Sequence, residues 1–266
     1  MPEVARTVTS ARNPLLKDIR RAAFRGALTD DGFAIAETFH LLEEALRSDC
    51  EIKLVLAAES VHSTVEAHVR GLARLKVLVL ADSVFNALST TESSQGVLAL
   101  VRPPAWTLDQ LFRGQSLVAV LDGIQDPGNA GAIVRAAEAF GATGLFFVKG
   151  TVNPWNPKTL RASAGSLFRM PISAGLGGDL VRTALEQRRI DVYAAMPGDH
   201  PRPLADLDLT RRCAFLIGNE GRGLSELLRR GATDIRIPTR SVESLNAAMA
   251  AGILLYEAAR QRLLRP

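Results

Sequence analysis

Three short segments concentrate the groups able to do chemistry. They are Asn129-Ala-Gly-Ala-Ile-Val-Arg135, Ile217-Gly-Asn-Glu-Gly-Arg-Gly-Leu224 and Ile237-Pro-Thr-Arg-Ser-Val-Glu-Ser-Leu-Asn-Ala247. Arg135 sits among Ala130, Ile133, Val134, Ala136, Ala137, Ala139 and Phe140. A guanidinium on so apolar a helix must snorkel to water or meet an anion. Glu220 stands between Gly218 and Gly221, with Gly223 beyond; glycines so dense imply close backbone approach or unusual dihedrals. Ser244 and Asn246 open the last helical pattern. Each feature has an ordinary explanation in isolation: Asn129 as a helix cap, the glycines as a tight turn, Ser244 as the cap of the final helix. Together they place an Arg, a Glu, a Ser and an Asn after parallel strands, where open α/β sheets bind ligands.

Nucleotide cradles of the common kinds do not fit. No Gly-x-x-x-x-Gly-Lys-Ser/Thr occurs, so a P-loop is excluded. The first strand of the C-terminal region is followed by Gln125-Asp-Pro-Gly-Asn-Ala-Gly131 rather than Gly-x-Gly-x-x-Gly. Lys149-Gly150 follows the next strand, where a ribose-binding acid belongs. A Rossmann cofactor site is therefore not expected, nor is an ordinary Rossmann-type methyltransferase.

The elements that must position these segments alternate strand and helix. In the first part, a basic helix is expected over Asn13–Arg25 and another helix over Thr38–Arg47, with strands near 32–36, 53–57, 75–80 and 96–101. This alternation favours a three-layer α/β unit. Val101-Arg-Pro-Pro-Ala-Trp-Thr-Leu108 interrupts the pattern and marks a boundary. Beyond it, Ser116–Leu121 is continuously apolar and so buried on both faces. Strands at 144–148, 191–195, 213–217 and 234–237 complete a mostly parallel sheet. Helices are expected over Ala130–Phe140, Pro157–Arg169 and Ser244–Leu264. The domains are residues 1–105 and 116–266, joined by a linker at 106–115.

The 32 basic and 28 acidic residues leave a net charge of only +4, but their distribution is uneven. Arg6, Arg12, Lys17, Arg20, Arg21 and Arg25 face only Glu3 and Asp18 in the first 29 residues. Such an arm suits a phosphate backbone, or is simply a solvated helix face. Aromatic residues make up 5%, so an aromatic stacking platform is not an obvious binding mode. Cys50 and Cys213 lack partners at metal spacing and read as buried free thiols; no metal site is expected. With no signal peptide and no bilayer-length apolar run, a cytoplasmic protein is expected.

These segments together resemble the SpoU (TrmH) family of RNA ribose 2′-O-methyltransferases, in the SPOUT superfamily. The similarity rests on Asn-x-Gly-x-x-x-Arg at Asn129–Arg135, Gly-x-Glu-Gly-x-Gly at Gly218–Gly223 and Ser-Leu-Asn at Ser244–Asn246. Asn156-Pro-Lys-Thr-Leu-Arg-Ala-Ser-Ala-Gly165 is similar to a further family segment. Less specifically, Ser10–Lys17 and Ser94–Ala99 resemble the family's ribosomal-L30e-like substrate-binding domain. The resemblance implies a SPOUT domain with a parallel sheet and deep trefoil knot, a homodimer, and S-adenosyl-L-methionine bound through Gly218, Ile237 and Leu245. It implies a ribose-end constellation of Asn129, Arg135, Glu220, Ser244 and Asn246, with Arg135 reaching a neighbouring subunit's site. The stretch from Ile237 to Ser244 departs from the common form: it is one residue shorter, has no Gly, and carries Thr239 in place of a frequent Met. Ribosomal RNA is the expected substrate. Transfer RNA is the alternative, and a non-catalytic RNA-binding protein of the same fold is a third reading.

Overall fold

A computed structural model of the chain describes residues 13–70, 75–195, 201–219, 221–242 and 244–264. In chain order the elements are α1 (Pro14–Arg25), β1 (Ala34–Glu37), α2 (Phe39–Arg47), β2 (Ile52–Ala58), α3 (His62–His68), β3 (Val77–Leu80), α4 (Asp82–Asn86) and β4 (Val97–Val101). Then follow α5 (Leu108–Leu111), β5 (Leu117–Asp122), α6 (Pro127–Ala139), β6 (Gly144–Phe147), α7 (Pro157–Ala162), β7 (Ile172–Ala174) and α8 (Gly178–Gln187). The chain ends with β8 (Asp191–Ala195), β9 (Arg202–Pro203), β10 (Cys213–Gly218), α9 (Glu226–Arg229), β11 (Thr233–Arg236) and α10 (Ala247–Leu263). Two compact units result: Met1–Pro104 with Trp155–Arg169, and Ala105–Pro154 with Met170–Pro266. No described helix is long and apolar enough to cross a membrane.

The first unit holds a four-stranded sheet in the order β1-β4-β2-β3. β4 is antiparallel to both neighbours, while β2 and β3 are parallel. Every residue of β4 is buried, so both sheet faces are covered. On one face α1 packs Leu16, Ile19, Ala22 and Ala23 with Phe33, Ile35, Leu56 and Phe85. Local chemistry fixes the ends of α1. The Asn13 side chain accepts from the Leu15 amide at 2.9 Å, and Gly26 closes the helix at φ 63°.

The segment after β6 departs from the single helix expected over Pro157–Arg169. α7 ends at Ala162, Ala164 and Gly165 turn the chain left-handed (φ 48° and 86°), and a 3-10 turn covers Ser166–Phe168. A side chain at Gly165 would place its Cβ 2.5 Å from that of Glu44, so helical continuity yields to close packing. Sequence reading groups this segment with residues 116–266, yet it packs in the first unit. Arg161 meets the buried Glu37 at 3.1 Å, and Arg169 meets Glu44 at 2.6 Å. Glu37 also accepts from the Thr90 amide and from the hydroxyls of Ser89, Thr90 and Thr91. A carboxylate that is 2% exposed requires such a set of donors.

The second unit holds a seven-stranded sheet in the order β7-β6-β5-β10-β8-β11-β9. All its pairings are parallel. β5 is buried along its whole length, as its apolar run requires. Val118, Val120, Phe146, Ala214 and Leu216 pack with Val181 and Leu185 of α8 and with Leu224 and Leu228. α6 and α10 pack against each other, and α10 packs on β10. The short strands β7 and β9 and the helix α8 escape the sequence reading. α8 begins at a glycine pair with no side-chain cap, so it lacks the usual start signal.

Two helix starts differ from expectation. α6 begins at Pro127 and is capped by Asp126, whose carboxylate accepts from the Asn129 amide at 2.6 Å. Asn129 is thus inside the helix and is not its cap. α10 begins at Ala247 and is capped by Asn246, which accepts from the Ala248 and Met249 amides at 2.9 and 3.3 Å. Ser244 therefore does not cap it. Cys213 is buried, which pushes its thiol up to about 11, whereas Cys50 is only half-buried.

Near the end of α10, Arg262 acts as a staple. It donates to the carbonyls of Leu209, Gln115, Ser116 and Arg211 at 2.7–3.1 Å. Charge-assisted bonds of this kind exceed neutral ones in strength. Arg262→Ala is expected to lower stability by about 1–3 kcal/mol in urea denaturation. Arg262→Met, which keeps the apolar stem, should recover only a minor part of that loss; full recovery would show that packing rather than hydrogen bonding is responsible.

Candidate active site

Strand order brings the first two loops together. β10 lies beside β5, and Gly218 is in register with Asp122, so both strands release their chains at the same level. The buried Asp122 carboxylate accepts from the Ser225 amide at 2.7 Å and ties down the far side of the second loop. Gly123 turns the first loop with φ 72°, and its amide donates to the Thr151 hydroxyl at 3.0 Å.

Asn219 organises the second loop. Its side-chain amide donates to the Gly123 carbonyl at 3.0 Å. Its side-chain oxygen accepts from the Gly221 and Arg222 amides at 2.9 and 3.0 Å. Its backbone exchanges both hydrogen bonds with Gly223 at 3.1 and 2.8 Å. Sequence reasoning passed over Asn219 in favour of its neighbours. The available signal was an Asn followed by glycine-rich chain, the pattern of a turn closed by its own side chain. The crossing is tight: a Cβ on Gly218 would lie 2.6 Å from the Gly223 carbonyl carbon. Glu220 lies outside the described residues.

The third loop leaves β11 with Ile237 half-buried and Ser244 exposed. Thr239 donates its hydroxyl to the Val242 carbonyl at 2.7 Å. Leu245 is half-buried. The loop meets the first segment where the Asn246 side-chain amide donates to the Asn129 side-chain oxygen at 3.0 Å. The two asparagines expected to share a site therefore meet, although they are 117 residues apart.

Asn246 performs two tasks that substitution can separate. Asn246→Ala removes the helix cap and the link to Asn129, and should cost about 1–2 kcal/mol in urea denaturation. Asn246→Asp keeps the capping acceptor, loses the donor to Asn129, and should retain most of the stability. Equal losses in the two variants would contradict the capping role.

Arg135 does not join this pair. It lies six residues beyond Asn129 on α6, about 120° around the helix and about 9 Å along it. Its side chain is exposed and has no hydrogen bond or ion pair with another described residue. On the adjacent α10, Met249, Ile253 and Tyr256 are exposed at helical spacing (60%, 37% and 53%), and Phe140 meets Tyr256 edge-on at 5.6 Å.

A cavity of about 320 Å³ opens at the carboxyl ends of β6 and β7, lined by Val148–Pro154 and Gly175 among others. It adjoins Thr151, the partner of Gly123. A cavity of about 390 Å³ lies at the amino ends of β8 and β11, lined by Ile190, Tyr193 and Gly231 among others. That end of the strands holds none of the three loops. Among the described residues no group of His, Cys, Asp or Glu is arranged to hold a metal ion.

Comparison with known proteins agrees with this geometry. Residues 116–256 match the model of the SpoU rRNA Methylase family, and residues 13–99 match an MRM3-like substrate binding domain. An uncharacterized tRNA/rRNA methyltransferase of Synechocystis is 32% identical over 96% of this chain and 94% of its own length. The 23S rRNA (guanosine(2553)-2′-O)-methyltransferase of Bacillus subtilis is 29% identical over 94% of this chain and 97% of its own. The crystal structure of the SpoU methyltransferase AviRb from Streptomyces viridochromogenes with the cofactor AdoMet superposes with a TM-score of 0.84. It is 28% identical and covers 96% of this chain and 100% of that one. With a family match over more than half its length and the three motif loops gathered at the carboxyl ends of one parallel sheet, the chain belongs to the SpoU rRNA methylase family.

Proposed function

We propose that this chain transfers a methyl group from S-adenosyl-L-methionine to a ribose 2′-hydroxyl of ribosomal RNA. The observation that carries the reading is the Asn129–Asn246 bond, which joins the first and third family motifs beside the loop organised by Asn219. The residues present suit such a cofactor. Gly218, Gly221 and Gly223 leave stretches of the second loop's backbone open to close approach by a ligand, and Ile237 and Leu245 offer half-buried apolar surface for a base. These three residues would hold the cofactor, which supplies an electrophilic methyl group on a sulfonium centre.

The protein's task is then to position a ribose oxygen and stabilise the charge it gains. Positioning alone accounts for much of the rate in such displacements. Asn129 and Asn246, locked to each other, orient the sugar; Ser244 serves the same loop, and the Glu220 carboxylate is the group to accept a hydrogen bond from the ribose. Arg135 stabilises the developing alkoxide as a fixed cation. A guanidinium is a poor base, so the electrostatic role suits it better than proton abstraction.

The finer architecture belongs to the same proposal. Insertion of β10 between β5 and β8, with α10 folded back on α6 and β10, supports a trefoil-knotted SPOUT domain over 116–266. The layered sheet of the first unit supports an L30e-like RNA-binding domain over 1–105, with 106–115 as the linker. The exposed apolar stripe on α10 supports a homodimer in which Arg135 serves the other subunit's site. The compartment is cytoplasmic, where ribosomal RNA is made available to such an enzyme.

The test offers ribosomal and transfer RNA with methyl-labelled S-adenosylmethionine and maps the labelled nucleotide. A 2′-O-methyl group blocks attack of that oxygen on the adjacent phosphorus, so the modified linkage resists alkali. Label at an alkali-resistant position in ribosomal RNA is expected. Label on a base, or in transfer RNA alone, would overturn the assignment.

A further inference from the structure

The outer face of α1 combines charge with one exposed aromatic ring. Lys17, Arg20, Arg21 and Phe24 follow the i, i+3, i+4, i+7 spacing of a single helix face, and all are exposed. Phe24 is 65% exposed, and the Arg20 guanidinium lies 5.9 Å from its ring centroid. Arg21 is neutralised by Asp18 at 2.8 Å and by Asp30. Lys17, Arg20 and Arg25 have no ion pair among the described residues. The helix ends at Gly26, whose added Cβ would lie 2.2 Å from the Asn156 side-chain amide. Asn156 caps α7, where the exposed Lys158 follows, so Arg25 and Lys158 flank one junction.

We propose that this face is a platform for single-stranded RNA, on which an unpaired base stacks on Phe24 while Lys17, Arg20, Arg25 and Lys158 meet the flanking phosphates. The proposal rests on the RNA reading given above. A duplex keeps its base faces stacked on one another, so a lone exposed ring among cations suits an unstacked nucleotide. A protein partner would call for a broader apolar patch than one side chain. Insertion into an anionic membrane would need an apolar helix face, but Leu16, Ile19, Ala22 and Ala23 are already committed to the sheet.

The full chain is titrated with a single-stranded uridine oligomer of about twelve nucleotides carrying one 2-aminopurine, within the usual site size for such binding. Wild type should bind and quench the fluorophore. Phe24→Ala should lose the quenching and about tenfold in affinity, with unchanged thermal stability. Phe24→Trp should retain both, and Phe24→Leu should behave like the alanine variant. Arg20→Gln should lower the slope of log affinity against log salt by about one. The proposal is overturned if wild type does not bind the oligomer, if Phe24→Leu binds like wild type, or if duplex RNA shows the same loss. A change of oligomeric state in Phe24→Ala, or tighter binding of wild type to phosphatidylserine vesicles than to the oligomer, would also overturn it. Cofactor binding and ribosomal RNA methylation are measured on the same samples. Their absence from wild type defeats the methyltransferase reading, while the oligomer result alone decides the platform.

Discussion

Arg135→Ala is expected to lower the rate of methyl transfer by about 10²–10³-fold, the usual consequence of removing one preorganised donor from a developing oxyanion. Affinity for S-adenosylmethionine, measured by calorimetry, should stay within about twofold, because Arg135 lies on α6 and not among the residues assigned to the cofactor. Stability should be unaffected, since the side chain is exposed and makes no hydrogen bond with a described residue. Arg135→Lys keeps the charge but loses the planar fork, and should recover only part of the rate. The position of Arg135, about 120° around the helix from Asn129 and about 9 Å along it, gives a further consequence. If it serves the partner subunit, mixing Arg135→Ala with a variant dead at the cofactor loop rebuilds one intact site in each mixed dimer. Random exchange then restores about a quarter of wild-type activity. Full activity in Arg135→Ala would remove the residue from the mechanism, and no recovery on mixing would place it in its own subunit's site.

For Gly218→Ala the expectation is loss of cofactor binding by at least about tenfold together with a lower melting temperature. The added methyl would meet the Gly223 carbonyl carbon at 2.6 Å, its oxygen at 2.7 Å and the Leu224 amide nitrogen at 2.8 Å. These are backbone atoms, so relief requires the loop itself to move. Overpacking of this kind costs about 1–3 kcal/mol. The movement spreads because Asn219 connects the loop both to Gly123 and to its own turn. Calorimetry reads the cofactor, and thermal unfolding reads the strain. A lower melting temperature with unchanged cofactor affinity would reduce Gly218 to a structural glycine.

Much of the site was legible because its chemistry is local. Gly218 must lack a side chain wherever the loop turns back on itself, and the glycine density announced that turn. The apolar run at Ser116–Leu121 could only be a strand covered on both faces, and β5 is that strand. Capping was read less well. Asn129 and Ser244 each had the right residue type, but Asp126 and Asn246 hold the caps, because several capping residues compete within one turn and backbone geometry chooses among them. Residues 157–169 carried a helical pattern, yet Gly165 breaks it to pass Glu44, a neighbour more than a hundred positions away. Phe24 marks a limit of composition: a scarcity of aromatics does not say which ring is left uncovered, and this one is 65% exposed.

The sequence by itself determined most of the longer elements, their α/β alternation and the three motif segments, since periodicity, turn chemistry and motif spacing act over a few residues. Only the tertiary structure decided that Asn246 meets Asn129, that Asn219 governs the second loop, and that Arg135 points away from both. Those outcomes depend on β10 pairing beside β5 and on α10 packing against α6, contacts between residues distant in the chain whose geometry no local pattern encodes.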